Sequence, residues 1–416
     1  MSGLFNECQI NQRHVYFLLF TFLITNQFFN ICFIPIHALR IANWGFTLYL
    51  ALYVLVCYIS HRIHISLIYQ WWSILAFLAI IVCSFFYLGL NTEQTVDETF
   101  RASIKWFQFI LVFLLAVKEY NHQEIFRALT IFAFIWFAAW ILGFISPIPL
   151  YDASGEFDAH RLFNEGRGIR RLNVAGNNLM HLWGLWCMSI YVATNIKKYL
   201  YAYFLCLLFV LLCVSRQHIV WYSAVGLLYL LYKSTNVKKM ILIGGLFVTV
   251  VFILPQTSIY QKTAQLTKEQ MKDNSGGKND IRILAATYFV TEFPQNLYTV
   301  IMGHGESHSH SDYGKFERSI VTKYGYVMAD VGFAGLYVKY GVLGMLVMFI
   351  MFYQIFRNPC FTENVGLKLW CAYTIFSTIF SHNLDQSMIG IALCLYLLYI
   401  DNLFINKDYQ NEYKLY

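Results

Sequence analysis

Runs of about 20 apolar residues recur along this chain, and each is as long as the hydrocarbon core of a bilayer is thick. About twelve can be read, near residues 15–36, 44–60, 68–90, 104–118, 125–146, 173–194, 199–215, 217–233, 240–256, 334–356, 366–382 and 387–405. A water-soluble core could not absorb them, because 58% of the residues are hydrophobic and only 13% are charged. Hydrocarbon offers backbone N–H and C=O groups no partners, so each run must close its own hydrogen bonds as a helix. The expected fold is an all-α polytopic membrane protein, with residues 1–416 forming a single integral membrane domain.

The first residues, MSGLFNECQINQRH, carry one arginine before an apolar run longer than a signal-peptide core, and an uncleaved first span is expected. Most of the ten cysteines fall inside spans, where they act as small apolar fillers rather than a disulfide framework. The net charge of +7 reports topology. Nucleic-acid binding would need a basic soluble face, which this sequence lacks.

With the N-terminus inside, the inner loops hold Arg13, Arg62, Lys118, Arg127, Lys197, Lys198, Lys233, Lys238, Lys239, Arg357 and Lys368. The short outer loops hold Arg40, Arg101, Lys105 and Arg216. That bias places both termini in the cytoplasm. One outer stretch, RLFNEGRGIRRLN, runs against it with Arg161, Arg167, Arg170 and Arg171. Guanidinium groups fit phosphate oxygens two at a time, so an anion is expected there, a lipid diphosphate being the natural one. Pairing with Asp152, Glu156 and Asp158, or with lipid headgroups, is the plainer explanation.

Asn173, Asn177 and His181 recur every fourth residue and would share one helix face, lining a wet cavity or bonding a neighbouring helix. Arg216 follows an apolar run with almost no loop before the next span, so it either meets a diphosphate or snorkels to headgroups. Residues 257–327 form one long outer loop between the ninth and tenth spans, beginning with a polar lid-like stretch. Its amphipathic segment IRILAATYFVTEF carries Arg282, a second diphosphate-clamp candidate. Next, GHGESHSHSD holds His304, His308 and His310. The spacing suits zinc, but no second ligand cluster accompanies it, so a flexible or sugar-contacting loop is expected and no metal. Asp330 stands where the loop meets the tenth span, as a base, an arginine partner or a helix-end dipole partner. Lys339 follows within reach of the interface, and His382, Asn383, Asp385 and Gln386 make a polar outer turn.

At these residues the chain resembles the O-antigen polymerase and ligase superfamily of bacterial envelope enzymes. The matching segments are Ser215–Gln217 (SRQ), RLNVAGNN, and the Gly-x-Gly of MGHG at 302–305. The ligases carry a His and a small polar residue, then nine residues, then Gly-x-x-Gly. Here Asp330 and Val331 precede nine residues and Gly341-Val-Leu-Gly344, so Asp330 stands in place of the His, favouring the polymerase branch. The resemblance implies a GT-C type, metal-independent glycosyltransferase without cofactor in the bacterial inner membrane, with its active site facing the periplasm. Its substrate would be an undecaprenyl-diphosphate-linked oligosaccharide, with membrane lipids and a polysaccharide chain-length regulator as partners. Arg216, Arg282 and Asp330 would be catalytic. Arg167, Arg170, Arg171, Asn173, Asn177, His181, His304, His308 and His310 would bind diphosphate or sugar. A ligase acting on lipid A core, a lipid-linked glycan flippase or transporter, and a membrane scaffold are the alternatives. Transporters usually put charge at the bilayer midplane, and these charges gather at one face.

Overall fold

A computed structural model of the chain describes residues 10–63, 70–146, 150–151, 172, 174–213, 216–233, 245, 281–294, 296–379, 381 and 384–413. In chain order the helices are α1 (Gln12–Thr25), α2 (Ile36–Ile59), α3 (Trp72–Asn91), α4 (Val96–Val117), α5 (His122–Ile145), α6 (Asn177–Thr194), α7 (Lys197–Leu212), α8 (Arg216–Lys233), α9 (Ile281–Thr291), α10 (Leu297–Met302), α11 (Asp312–Tyr324), α12 (Phe333–Arg357), α13 (Val365–Thr378) and α14 (Met388–Tyr413). Among the described residues there is no strand, only an isolated bridge between Ile31 and Tyr151. Six of these helices are long and apolar enough to cross a membrane: α2, α3, α4, α5, α12 and the first 19 residues of α14. The expected spans at 173–194, 199–215, 217–233 and 366–382 coincide with the shorter helices α6, α7, α8 and α13. The expected span at 240–256, apart from residue 245, and the polar start of the long loop lie outside the described residues.

Polar residues set where the helices stop. The first span was expected to run to residue 36, but α1 ends at Thr25. Four residues in the left-handed region, Gln27 to Asn30, turn the chain back, and α2 starts after Pro35. The second outer loop is also shorter than expected. Thr95 and Glu98 form a capping box that starts α4 at Val96, so Arg101 and Lys105 sit on the helix. Residues Ile104–Ile110 of α4 are wound more tightly, as a 3-10 segment, and pack against α14.

The centre of the bundle is α6, buried from Asn178 to Ile190 and packed by α5, α7, α8, α13 and α14. Tryptophans fill its surroundings, and three of their indole N–H groups have acceptors there. Trp183 donates to Thr130 Oγ1 (2.9 Å), Trp186 to Asn364 Oδ1 (2.9 Å) and Trp370 to the Asn178 carbonyl (3.0 Å). Burying these rings therefore yields their full apolar gain without an orphaned donor.

Cross-links identify two ends. At one, Glu124 accepts from the Asn11 backbone (2.9 Å) and lies 3.0 Å from His14, Asp401 holds His122 (2.9 Å) and Asn364, and Ser73 bonds Gln354 (2.7 Å). Arg13, Lys118, Arg127, Lys197, Lys198, Arg357 and Lys368 sit on the helix ends that meet there or beside them. At the opposite end α9, α10 and α11 gather over the ends of α3 and α12, around Ala285, Phe289, Phe293, Ile320 and Met328.

Helix α12 is broken near its start. Gly341 adopts φ +63°, ψ −171°, which frees the carbonyls of the preceding turn. The loop after α10 supplies replacement donors: His304 N–H to Val338 O (2.7 Å) and Gly305 N–H to Lys339 O (2.8 Å). Both backbones must come close for this. A Cβ on Gly303 would lie 2.3 Å from the Lys339 carbonyl, and one on Gly341 2.3 Å from that of Ile301. Non-helical backbone deep in a membrane protein survives only where protein satisfies it in this way.

Candidate functional site

The clip on α12 carries Glu306 inward. Its carboxylate is buried and receives three side-chain donors: Lys339 Nζ at 2.8 Å, Trp106 Nε1 at 2.8 Å and Tyr340 Oη at 2.9 Å. Gln94, also buried, fixes the loop's backbone. Its Nε2 donates to the Glu306 carbonyl (2.9 Å), and its Oε1 accepts from His308 N–H (3.0 Å) and Ser311 Oγ (2.7 Å). Beside this pair Lys105, on α4, makes an ion pair with Asp385 in the turn before α14, within electrostatic reach of Glu306. Two ammonium groups and two carboxylates thus meet where α4, α12, α14 and the 303–311 loop converge. Lys339 is 13% exposed and Lys105 32%, so Lys105 is the more accessible of the two ammonium groups. Charges this deep in an apolar bundle are costly and mark a functional region by default.

A second polar group lies between α6, α8 and α13. The Tyr373 hydroxyl bridges Nδ1 of His181 (2.9 Å) and Nδ1 of His218 (2.5 Å). One hydroxyl can donate only once, so one of these imidazoles carries its proton on Nδ1 and the other on Nε2. Asn178 Nδ2 and Gln217 Oε1 are buried nearby in sequence without a hydrogen-bond partner among the described residues.

The residues picked out from sequence fall in three places. Asn177 opens α6, His181 belongs to the His–Tyr–His group, and Arg216 opens α8 two residues before His218. Helices α6 and α8 pack together, so these segments are neighbours. Arg282 is exposed in the first turn of α9, and Asp330 is exposed at the end of a 3-10 turn, Met328–Asp330, against which α9 packs. His304, His308 and His310 share the loop of Glu306. His304 is 5% exposed inside a box of Phe293, Tyr87 and Tyr313, and burial lowers its pKa to about 4. Its Nε2 has no partner among the described residues. His308 is half-buried, with Nδ1 3.8 Å from Glu98; burial pulls its pKa down, and the opposing pull of Glu98 does not offset it. His310 is exposed, its ring 5.6 Å from that of His308. Among the described residues no three His, Cys, Asp or Glu side chains are grouped to hold a metal ion. Arg161, Arg167, Arg170, Arg171 and Asn173 lie outside the described residues.

Sequence alone missed Glu306 altogether and read Lys105 and Asp385 only as outer-loop polar residues. A signal was present in the two glycines that bracket His304 just before Glu306, since Gly-x-Gly lets backbone approach backbone. No family model matches the chain, and no curated protein matches it.

Proposed function

We propose that this chain is a glycosyltransferase of the O-antigen polymerase type, a GT-C-like protein of about twelve spans in the bacterial inner membrane. It works on the periplasmic side, on an undecaprenyl-diphosphate-linked oligosaccharide. The observation that supports this most is the charge arrangement. Arg13, Lys118, Arg127, Lys197, Lys198, Arg357 and Lys368 mark one end of the bundle, while the paired and partly buried Lys105, Lys339, Glu306 and Asp385 are held toward the other. By the positive-inside rule the first end is cytoplasmic. The second then faces outward, where lipid-linked glycans are presented.

The chemistry follows from what such groups can do. The bond between the anomeric carbon of the growing chain and its diphosphate oxygen breaks. A hydroxyl oxygen of the next lipid-linked unit bonds to that carbon. The electron pair leaves with undecaprenyl diphosphate, and the hydroxyl proton passes to a carboxylate. Arg216 and Arg282, with Arg167, Arg170 and Arg171, bind the departing diphosphate. Preorganised donors of this kind contribute roughly 2–4 kcal/mol each, because charge builds on the leaving group in the transition state. Asp330 is the assigned proton acceptor. Glu306, its carboxylate held by three donors, instead orients Lys339.

The test is a reconstitution of the purified full-length protein with lipid-linked repeat units, read as polymer ladders and released undecaprenyl diphosphate. Ladders are expected from the wild type and single units from Arg216→Ala and Arg282→Ala. Full ladders from both variants would remove the clamp assignment, and glycan delivered only to lipid A core would make the protein a ligase.

A further inference from the structure

Three tyrosine rings share one patch at the outer end. Tyr288 lies on α9, Tyr324 closes α11, and Tyr326 follows Gly325, whose φ of +72° turns the chain back. Tyr324 and Tyr326 are stacked, with centroids 5.5 Å apart and planes 20° apart. Tyr288 leans on them at 5.7 and 5.5 Å. The core beneath is made by Ala285, Phe289, Phe293 and Ile320, with Tyr288 and Tyr326 on its rim, while Tyr324 is 43% exposed. The Lys323 ammonium stands 4.9 Å from the Tyr324 ring centre.

The patch is continuous with the site. Ile281 reaches Gly325, so the end of α11 docks beside Arg282, and α9 packs on the turn that ends in Asp330. The Phe293 ring touches that of His304, 4.8 Å away, on the loop that bears Glu306. We propose that Tyr288, Tyr324 and Tyr326, with Arg282 and Asp330 at their edge, form a saccharide-binding subsite. It rests on the glycan-transfer reading above and says where that glycan lies.

A pyranose ring has one face of C–H groups and an edge of hydroxyls. The C–H face suits the electron-rich face of an aromatic ring. Guanidinium and carboxylate groups beside the ring bind hydroxyls at the edge. Inorganic phosphate has no use for stacked tyrosines. Lipid tails would need unbroken apolar surface, and here exposed Arg282, Thr287, Glu292, Thr322 and Lys323 alternate with exposed Ile283, Val290 and Val321.

The experiment uses the full-length protein in lipid nanodiscs. The probe is polysaccharide released by mild acid from the surface of cells that carry this chain, with no lipid donor present. Hydrogen exchange of residues 312–330 is expected to slow as polysaccharide is added. A Tyr324→Ala, Tyr326→Ala double variant should bind about tenfold more weakly, and the corresponding Phe double variant within about threefold of wild type, since stacking is kept. Unchanged exchange on adding polysaccharide, or wild-type binding by the Ala variant, overturns the subsite. So does exchange that responds only to the change from detergent to bilayer, the mark of an interfacial tyrosine belt. Loss of ladders in Arg216→Ala without any saccharide protection sinks the subsite alone. Saccharide protection together with no ladders from the wild-type protein sinks the transfer reading alone.

Discussion

Lys339 and Glu306 form an ion pair that the bundle encloses on most sides, and its removal should be felt as stability. Lys339→Met leaves a buried carboxylate with two neutral donors and only the more distant Lys105 as counter-charge, a loss of about 3 kcal/mol. Adding Glu306→Gln should recover part of that loss, because the two residues act as a unit. Unfolding in detergent measures both, and strictly additive losses would show that the pair carries no coupling. His304 makes a different prediction. Its folded pKa of about 4 lies below the ordinary 6.5, so the unfolded chain binds the extra proton between these values. Stability is therefore complete above pH 6.5 and declines as pH falls toward 4. His304→Phe, which suits the aromatic box, should flatten that decline by about one proton of slope. An identical pH profile in the variant would place the imidazole in water. Sequence singled out His304 but not Glu306, because a pattern search sees residue types and spacing, whereas Glu306 matters through Trp106, Lys339 and Tyr340, far from it in the chain.

At the scale of elements, the break in α12 and the loop that repairs it are one device. Gly303 and Gly341 both have left-handed φ, and each faces backbone at 2.3 Å from where a Cβ would stand. Gly303→Ala or Gly341→Ala should each cost more than about 2 kcal/mol and move Glu306 off Lys339, reducing activity along with stability. Gly45 on α2 has no atom within 4 Å of such a Cβ, so Gly45→Ala should be neutral or stabilising by up to about 1 kcal/mol. Thermal unfolding of the three variants decides it, and equal effects at all three positions would remove the clip from the account. The long helices α2, α3, α5 and α12 were legible as apolar runs. The helices α10 and α11 within residues 257–327 were not, since their faces are set by packing on α3 and α12 and on the Phe289–Phe293 core.

The whole molecule has an electrical polarity that can be read in cells. Lys198 lies in the first turn of α7 at the basic end, and Lys315 lies on α11 at the other. A membrane-impermeant maleimide should label Lys315→Cys in cells with a permeabilised outer membrane and leave Lys198→Cys unmodified until lysis, both in a background where the exposed Cys83 is replaced. The reverse pattern would invert the topology and carry the proposed site into the cytoplasm. The charge bias behind this prediction was visible in the loops before any helix was placed, because lysine and arginine counts depend only on which segments are apolar.

The sequence by itself determined that the protein is helical and membrane-embedded, because apolar runs of bilayer length admit no other satisfied backbone. Only the tertiary structure decided which charges meet: Lys105 with Asp385 and Lys339 with Glu306, partners separated by long stretches of chain. A buried charge is tolerated where a counter-charge and donors converge in space, and no one-dimensional pattern encodes that convergence.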